Sequence, residues 1–393
     1  MKFPALTVPI DNHISAENGW NRATGDALID AESDVAAVMQ WIKLSQVSAH
    51  TKASYQKEAE RFLLWTTLKR GKKLTDLLPE DLVDYAAFLA DPDPDWCGPT
   101  RPRHHPDWRP FAFWEKRQRT GASTGGLSPS SVKQARTILA AMFRFLTDSG
   151  YLRLNPMSIL HKRQSIRRRV EHRVLDKATV QFVFKWLDST VIENQAQQDR
   201  IERDRWVFAL YYYSGARLTE ATSAVMGSFH SRDGKWWLML HGKGGKSEDV
   251  PVHPSLLEAL KRYRSHLGLS PSPHASEITP LIVSLYGGRR GTFRALGRNA
   301  CYKALKDMMH RAAEAAAHRG LDVVHGQLSN CSTHWLRHST ASHQLDAGVP
   351  LLMVSQNMRH SKIETTRIYL HTEDDNRHEK SSTWGVLPKC SSK

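Results

Sequence analysis

The chain has 393 residues, 40% hydrophobic and 24% charged, an ordinary soluble composition with enough length for two or three domains and sizeable cores. Lysine and arginine number 55 against 40 acidic residues, and the resulting net charge of +15 points to a polyanionic partner, nucleic acid ahead of an anionic membrane surface. Four scattered cysteines (Cys97, Cys301, Cys331, Cys390) suggest neither a disulfide framework nor a zinc site. Met1–Ser15 lacks a signal-peptide layout and the densest apolar run, Trp206–Ala216, is too short to span a bilayer, so a cytoplasmic protein is expected.

Residues 1–33 show no clear periodicity and read as an N-terminal extension. From about residue 34 the pattern turns helical. Thr51 can cap a helix whose Tyr55, Ala59, Phe62 and Leu63 share a face, and Leu78-Pro79-Glu80-Asp81 opens another that carries Leu82, Tyr85, Ala86 and Leu89. Residues 91–126 interrupt this pattern as an insertion rich in Pro and Gly. It interleaves Arg101, Arg103, His104, His105, Trp108, Arg109, Phe111, Trp114, Lys116, Arg117 and Arg119, which suits either a nucleic-acid surface or a solvated loop with a small local core. His104-His105 alone makes a poor metal site. Ser128-Pro129 then starts a strong helix with Val132, Ala135, Leu139, Met142 and Leu146 on one face and Gly150 as its stop.

Residues 161–173 read as a basic linker between domains. Lys162, Arg163, Arg167, Arg168, Arg169 and Arg173 stand against a single acid, Glu171. Such a segment can lie along a phosphate backbone, or it can be a merely solvated tether. The second domain spans 174–372. Asp176 caps one helix and Arg203–Tyr213 reads as another, ended by Ser214-Gly215. Lys235–Leu240 and Ser247–Val252 read as two strands, Asp233-Gly234 turns the chain from a shorter strand upstream, and a further helix runs through Ala304–Ala317. Residues 373–393 form a C-terminal tail.

Four segments carry reactive side chains. Gly215-Ala-Arg217-Leu-Thr-Glu220 sets an arginine at a helix start with an acid three residues on that can hold it, although such pairs usually decorate surfaces. Gly242-Lys243-Gly-Gly-Lys246 joins two strands with the wrong spacing for a phosphate-binding loop, and offers Lys243 or Lys246 as a mobile cation. His334 and Arg337 share a helical face in Thr-His-Trp-Leu-Arg-His; alone they would be read as a structural pair. Finally His360 precedes Tyr369 by nine residues near the C-terminus, where a lone tyrosine is ordinarily core.

In this order, the set resembles the tyrosine recombinase (phage integrase) family, over roughly residues 48–372 and with most specificity in the second half. The resemblance implies a mostly helical protein with a small β-sheet: a C-shaped, two-domain DNA clamp with a helical, SAM-like core-binding domain (34–160) and an α+β catalytic domain. It assigns Arg217, Lys243, His334, Arg337, His360 and Tyr369 as catalytic, with Tyr369 the nucleophile and Glu220 supporting Arg217. Lys246, Lys162, Arg163, Arg167, Arg168 and Arg169 are the expected DNA contacts, and no cofactor or metal is expected. The implied partner is double-stranded DNA, bound by a homotetramer on paired sites of a mobile element in the nucleoid. Site-specific strand exchange is the leading reading. Relaxation of DNA in the manner of a type IB topoisomerase, or regulatory DNA binding without catalysis, are the alternatives. Where the family often has Leu-Gly before the second histidine, this chain has Met358-Arg359, which adds a charge near the site.

Overall fold

The computed structural model describes residues 19–112, 126–160, 173–242, 246–285, 293–360 and 363–367. The chain divides into two compact units, Met1–Arg168 and Arg169–Lys393.

The first unit is helical: α1 (Asp34–Leu44), α2 (Ala49–Leu68), α3 (Pro79–Ala90) and α4 (Pro129–Asp148). Ser48, not Thr51, caps α2, its hydroxyl accepting the Thr51 N–H at 3.3 Å. α3 and α4 begin at the prolines marked in the sequence, where a missing N–H costs nothing. Phe62, Trp65, Tyr85, Phe88 and Phe143 pack into one aromatic core, stacked between Phe62 and Trp65 and between Tyr85 and Phe88 and edge-on or tilted in the other pairs. Trp96 and Phe111 of the insertion are buried in the same core, and the Arg61 guanidinium lies 4.5 Å from the centre of the Phe111 ring. Residues 91–112 thus contribute to the core of this unit. Trp114, Lys116, Arg117 and Arg119 lie outside the described residues. Residues 19–33 also pack on this unit: Asn21 exchanges two 2.9 Å hydrogen bonds with the Leu154 backbone, and Arg22 stacks over Tyr151.

The second unit comprises α5 (Lys177–Ser189), α6 (Gln195–Ser214), α7 (Leu218–Ser223), β1 (Phe229–Arg232), β2 (Lys235–His241), β3 (Ser247–Pro251), α8 (Pro254–His266), α9 (Arg298–Ala317), α10 (Asp322–Asn330), α11 (Thr333–Asp346), α12 (Leu351–Asn357) and α13 (Glu364–Arg367). The mostly helical architecture with a small sheet is as expected. The strands form one antiparallel sheet in the order β1-β2-β3, and the turn at Asp233-Gly234 takes positive φ (53° and 73°), as a tight hairpin requires. Leu238, Leu240 and Val250 face the core. At its centre runs α6, with Trp206–Tyr211 all buried. The Trp206 indole N–H donates to the Leu281 carbonyl at 2.7 Å while its ring stacks on Tyr263. Sequence periodicity missed α8, α10 and α12, and began α6 late because its first two turns are polar and capped by Asn194.

Candidate active site

The site begins where α6 ends. Gly215 takes a left-handed turn (φ 56°) that favours glycine, and a Cβ there would meet the end of the Met358 side chain at 2.6 Å. Two residues later Arg217 sits at the cap of α7. Glu220 accepts the Arg217 backbone N–H at 2.8 Å and its Nη1 at 2.6 Å, and the Arg217 Nη2 donates to the Arg359 carbonyl at 3.0 Å. The predicted Arg–Glu pair exists, with Glu220 only 2% exposed and the Arg217 side chain 40% exposed.

α11 supplies His334 and Arg337 on one face and sends Leu336 into the core. The Arg337 guanidinium is buried and directs Nη1 to the Gly215 carbonyl and Nη2 to the Met358 carbonyl. His360 follows the end of α12, its Nδ1 hydrogen-bonded to Thr366 Oγ1 at 2.8 Å. His338 packs edge-on against His334, with ring centres 4.8 Å apart.

These groups lie within one another's electrostatic reach. Burial, then the charges of Arg337 and Arg217, pushes His334 below the ordinary histidine range; Arg173, the one described residue of the basic linker, adds to this. His360 is pushed down to about 4 by burial, Arg337, Arg217 and Arg359, and His338 to about 4 by burial, His334 and Arg337. All three imidazoles are therefore neutral near pH 7 and able to accept a proton or a hydrogen bond. Glu220 goes the other way. Burial would raise it, but Arg359 and the hydrogen bonds from Arg217 outweigh burial and hold it below the usual carboxylate range.

Arg217, His334 and Arg337 line an open pocket of about 450 Å³ together with Thr219, Arg298, Asn299, Tyr302 and Thr333. α9 and α11 both open on it, and neither is capped by a side chain, so first-turn N–H groups and helix dipoles add to the arginine charges. A larger apolar groove of about 820 Å³, between α1 and α4, carries none of these groups. Arg298, Asn299 and Tyr302 were not singled out from sequence; the uncapped start of α9 at Gly297 was the available signal. Lys246 is exposed at the foot of the β2–β3 hairpin, its carbonyl accepting from Gly242 N–H at 2.7 Å. Lys243, Tyr369, Lys162, Arg163, Arg167, Arg168 and Arg169 lie outside the described residues. Among the described residues no group of three or more His, Cys, Asp or Glu side chains could hold a metal ion, and no helix is long and apolar enough to cross a membrane.

Residues 185–376 match the model of the phage integrase family. The tyrosine recombinase XerD of Mycobacterium leprae is 26% identical over 329 residues, covering 82% of this chain and 87% of its own. XerD of Brucella abortus is 28% identical over 260 residues, covering 65% and 75%. Among solved structures, the XerH site-specific recombinase bound to its difH substrate shares the fold with a TM-score of 0.56 at 16% identity, covering 98% of this chain and all of that one. The Tn1549 transposon integrase in complex with circular intermediate DNA gives 0.55 at 13% identity, covering 88% and 97%. With the ordered Arg, His-x-x-Arg and His of the family pattern gathered in its second unit, the chain carries a phage integrase family domain over residues 185–376 and is similar along most of its length to tyrosine recombinases.

Proposed function

We propose that this recombinase cuts and rejoins double-stranded DNA at specific sites through a 3′-phosphotyrosine on Tyr369. The observation that carries the reading is the convergence of Arg217, Arg337 and His334 on one cationic opening, with Glu220 holding Arg217 and His360 within the electrostatic reach of both arginines.

In this reading the Tyr369 hydroxyl oxygen attacks the scissile phosphorus, the P–O5′ bond breaks, and the phosphate is left esterified to the tyrosine. A free tyrosine has a pKa of about 10 and is a weak nucleophile at neutrality. Neutral His334 takes its proton or stabilises the charge that develops. Lys243 gives a proton to the departing 5′-oxygen, with Lys246 the second candidate in the same hairpin. His360 donates a hydrogen bond to the phosphate. Arg217 and Arg337 meet the extra negative charge that the phosphoryl oxygens gain in the transition state; loss of one such donor costs about 3 kcal/mol, roughly a hundredfold in rate. Attack by a 5′-hydroxyl from another strand reverses the step, so bond energy is conserved in the ester and no nucleotide is consumed.

Strand exchange between two duplexes requires four protomers. The XerD relatives and the transposon integrase neighbour favour recombination of a replicon or mobile element over general relaxation. Duplexes cut from the DNA flanking the gene, nicked so that a cleaved fragment escapes, test the reading. Wild type should form a denaturant-resistant protein–DNA adduct, and Tyr369→Phe none. An adduct surviving in Tyr369→Phe means another nucleophile, and relaxation of plasmid lacking those sites favours the topoisomerase-like alternative.

A further inference from the structure

Arg359 is the residue the chemistry above leaves without a task, and it carries three local costs. Its backbone is left-handed (φ 53°), which a side chain disfavours. Its guanidinium is buried, with the side chain 3% exposed. Its Nε–H has no hydrogen-bond partner among the described residues. A position that accumulates such costs is held there by its surroundings, and the contacts show what those are. Nη2 donates to Glu220 Oε2 at 2.9 Å and to the Gly215 carbonyl at 3.2 Å, Nη1 donates to the Asn357 carbonyl at 2.8 Å, and the Arg359 carbonyl accepts from Arg217 Nη2.

Glu220 is thereby divided. Oε1 serves the Arg217 side chain; Oε2 serves the Arg217 backbone and Arg359. Arg217 is gripped from two sides, by the carboxylate and by the carbonyl of the residue whose side chain pins that carboxylate. We propose that Arg359 is a positioning residue: it fixes the Glu220 carboxylate and its own carbonyl so that the Arg217 guanidinium presents one orientation to the scissile phosphate. The proposal rests on the reading that Arg217 binds that phosphate. The groups facing Glu220 are Arg217 from the start of α7, Arg359 from the turn after α12 and Tyr211 from α6, while the charge of Glu248 in β3 acts on Arg359.

Arg359→Gly suits the test, because glycine takes the left-handed backbone without strain while removing the guanidinium. Its partner is Arg359→Lys, which keeps a cation. With the nicked flanking-DNA duplexes as probe, Arg359→Gly should bind with wild-type affinity but form the adduct about ten- to a hundredfold more slowly, the range typical for a group that orients a ligand from behind. Arg359→Lys should recover most of the rate. In a Glu220→Gln background, Arg359→Gly should add less than about threefold, since the two act as one unit. A crystal structure of Arg359→Gly should show the Arg217 guanidinium turned from its present direction. The proposal is overturned by an unmoved Arg217 with a wild-type rate, or by equal losses of rate and folded fraction that Lys does not rescue. If wild type itself forms no adduct, the recombinase chemistry falls, and the orientation of Arg217 in the Arg359→Gly crystal alone decides the positioning role.

Discussion

Glu220→Gln tests the internal wiring of the site. The carboxylate accepts three donors: Arg217 Nη1 on Oε1, and Arg217 N–H with Arg359 Nη2 on Oε2. Glutamine matches the shape but replaces one oxygen with an NH2 group, which faces a donor wherever it points. Placed at Oε2 it would lose two partners, one a guanidinium that is 3% exposed. Placed at Oε1 it loses only Arg217 Nη1, on a side chain that is 40% exposed and can turn to water. The amide should choose the second arrangement, so the loss falls on Arg217. A charge-assisted hydrogen bond is worth about 1.5 to 3 kcal/mol, and partial exposure of Arg217 places the stability loss near the lower end. Urea denaturation of the DNA-free protein reads this as a lower midpoint at constant slope for the second unit. Because Glu220 is held below the usual carboxylate range, the stability it contributes is present above the unfolded carboxylate pKa and is lost as the pH falls through the lower folded value. The gap between wild type and Glu220→Gln should therefore close in acid. A variant as stable as wild type at pH 7, or a gap that widens in acid, refutes this wiring.

NMR titration of the DNA-free protein should place His338 and His360 near pH 4, each remaining neutral through pH 6; midpoints at the ordinary histidine value would show that neither burial nor the neighbouring cationic groups act on them. The unfolded chain takes up those protons first, so these groups cost stability progressively from about pH 6.5 downward and nothing above it. Asn21→Ala should lower the stability of the first unit by about 1 to 2 kcal/mol, since it removes both hydrogen bonds to Leu154 from a residue that is 1% exposed. An unchanged urea midpoint would mean that residues 19–33 lie on the unit without bracing it.

What the sequence shows of the site follows from how far apart the partners lie along the chain. Arg217 and Glu220 sit in one turn, and His334 and Arg337 on one helical face, so spacing alone brings them together. Arg359 reaches Glu220 across 139 positions, and no local pattern marks that pairing. From sequence it was an added charge near the site; in the structure it is bonded to the acid that holds Arg217. The fold divides in the same way. Ser-Pro and Asp caps located α4 and α5, and the glycine hairpin located β2 and β3, because each is a local signal. The seven-residue α12 and nine-residue α10 carry too few turns for an apolar stripe to stand out, and both form by packing against neighbouring helices.

Arg217 and Arg337 are held by different means, and the difference bears on the proposed chemistry. Glu220 anchors Arg217 and partly neutralises it; backbone carbonyls of Gly215 and Met358 anchor Arg337 and leave its charge whole. A carbonyl fixes direction at no cost in net charge, which in the proposed reaction suits a group facing a doubly charged transition state in a buried place. Arg359 completes the balance. Without it, Glu220 would cancel Arg217 outright, whereas with it two guanidinium groups share one carboxylate and Arg337, held by carbonyls, keeps its own charge. Gly215 is the point where these demands meet, since its carbonyl receives both Arg337 and Arg359 while its missing side chain makes room for Met358. A methyl group there would push Met358 away and move the carbonyl that orients Arg337. The corner between α6 and α7 thus sets the direction of the site's positive charge as well as the path of the chain.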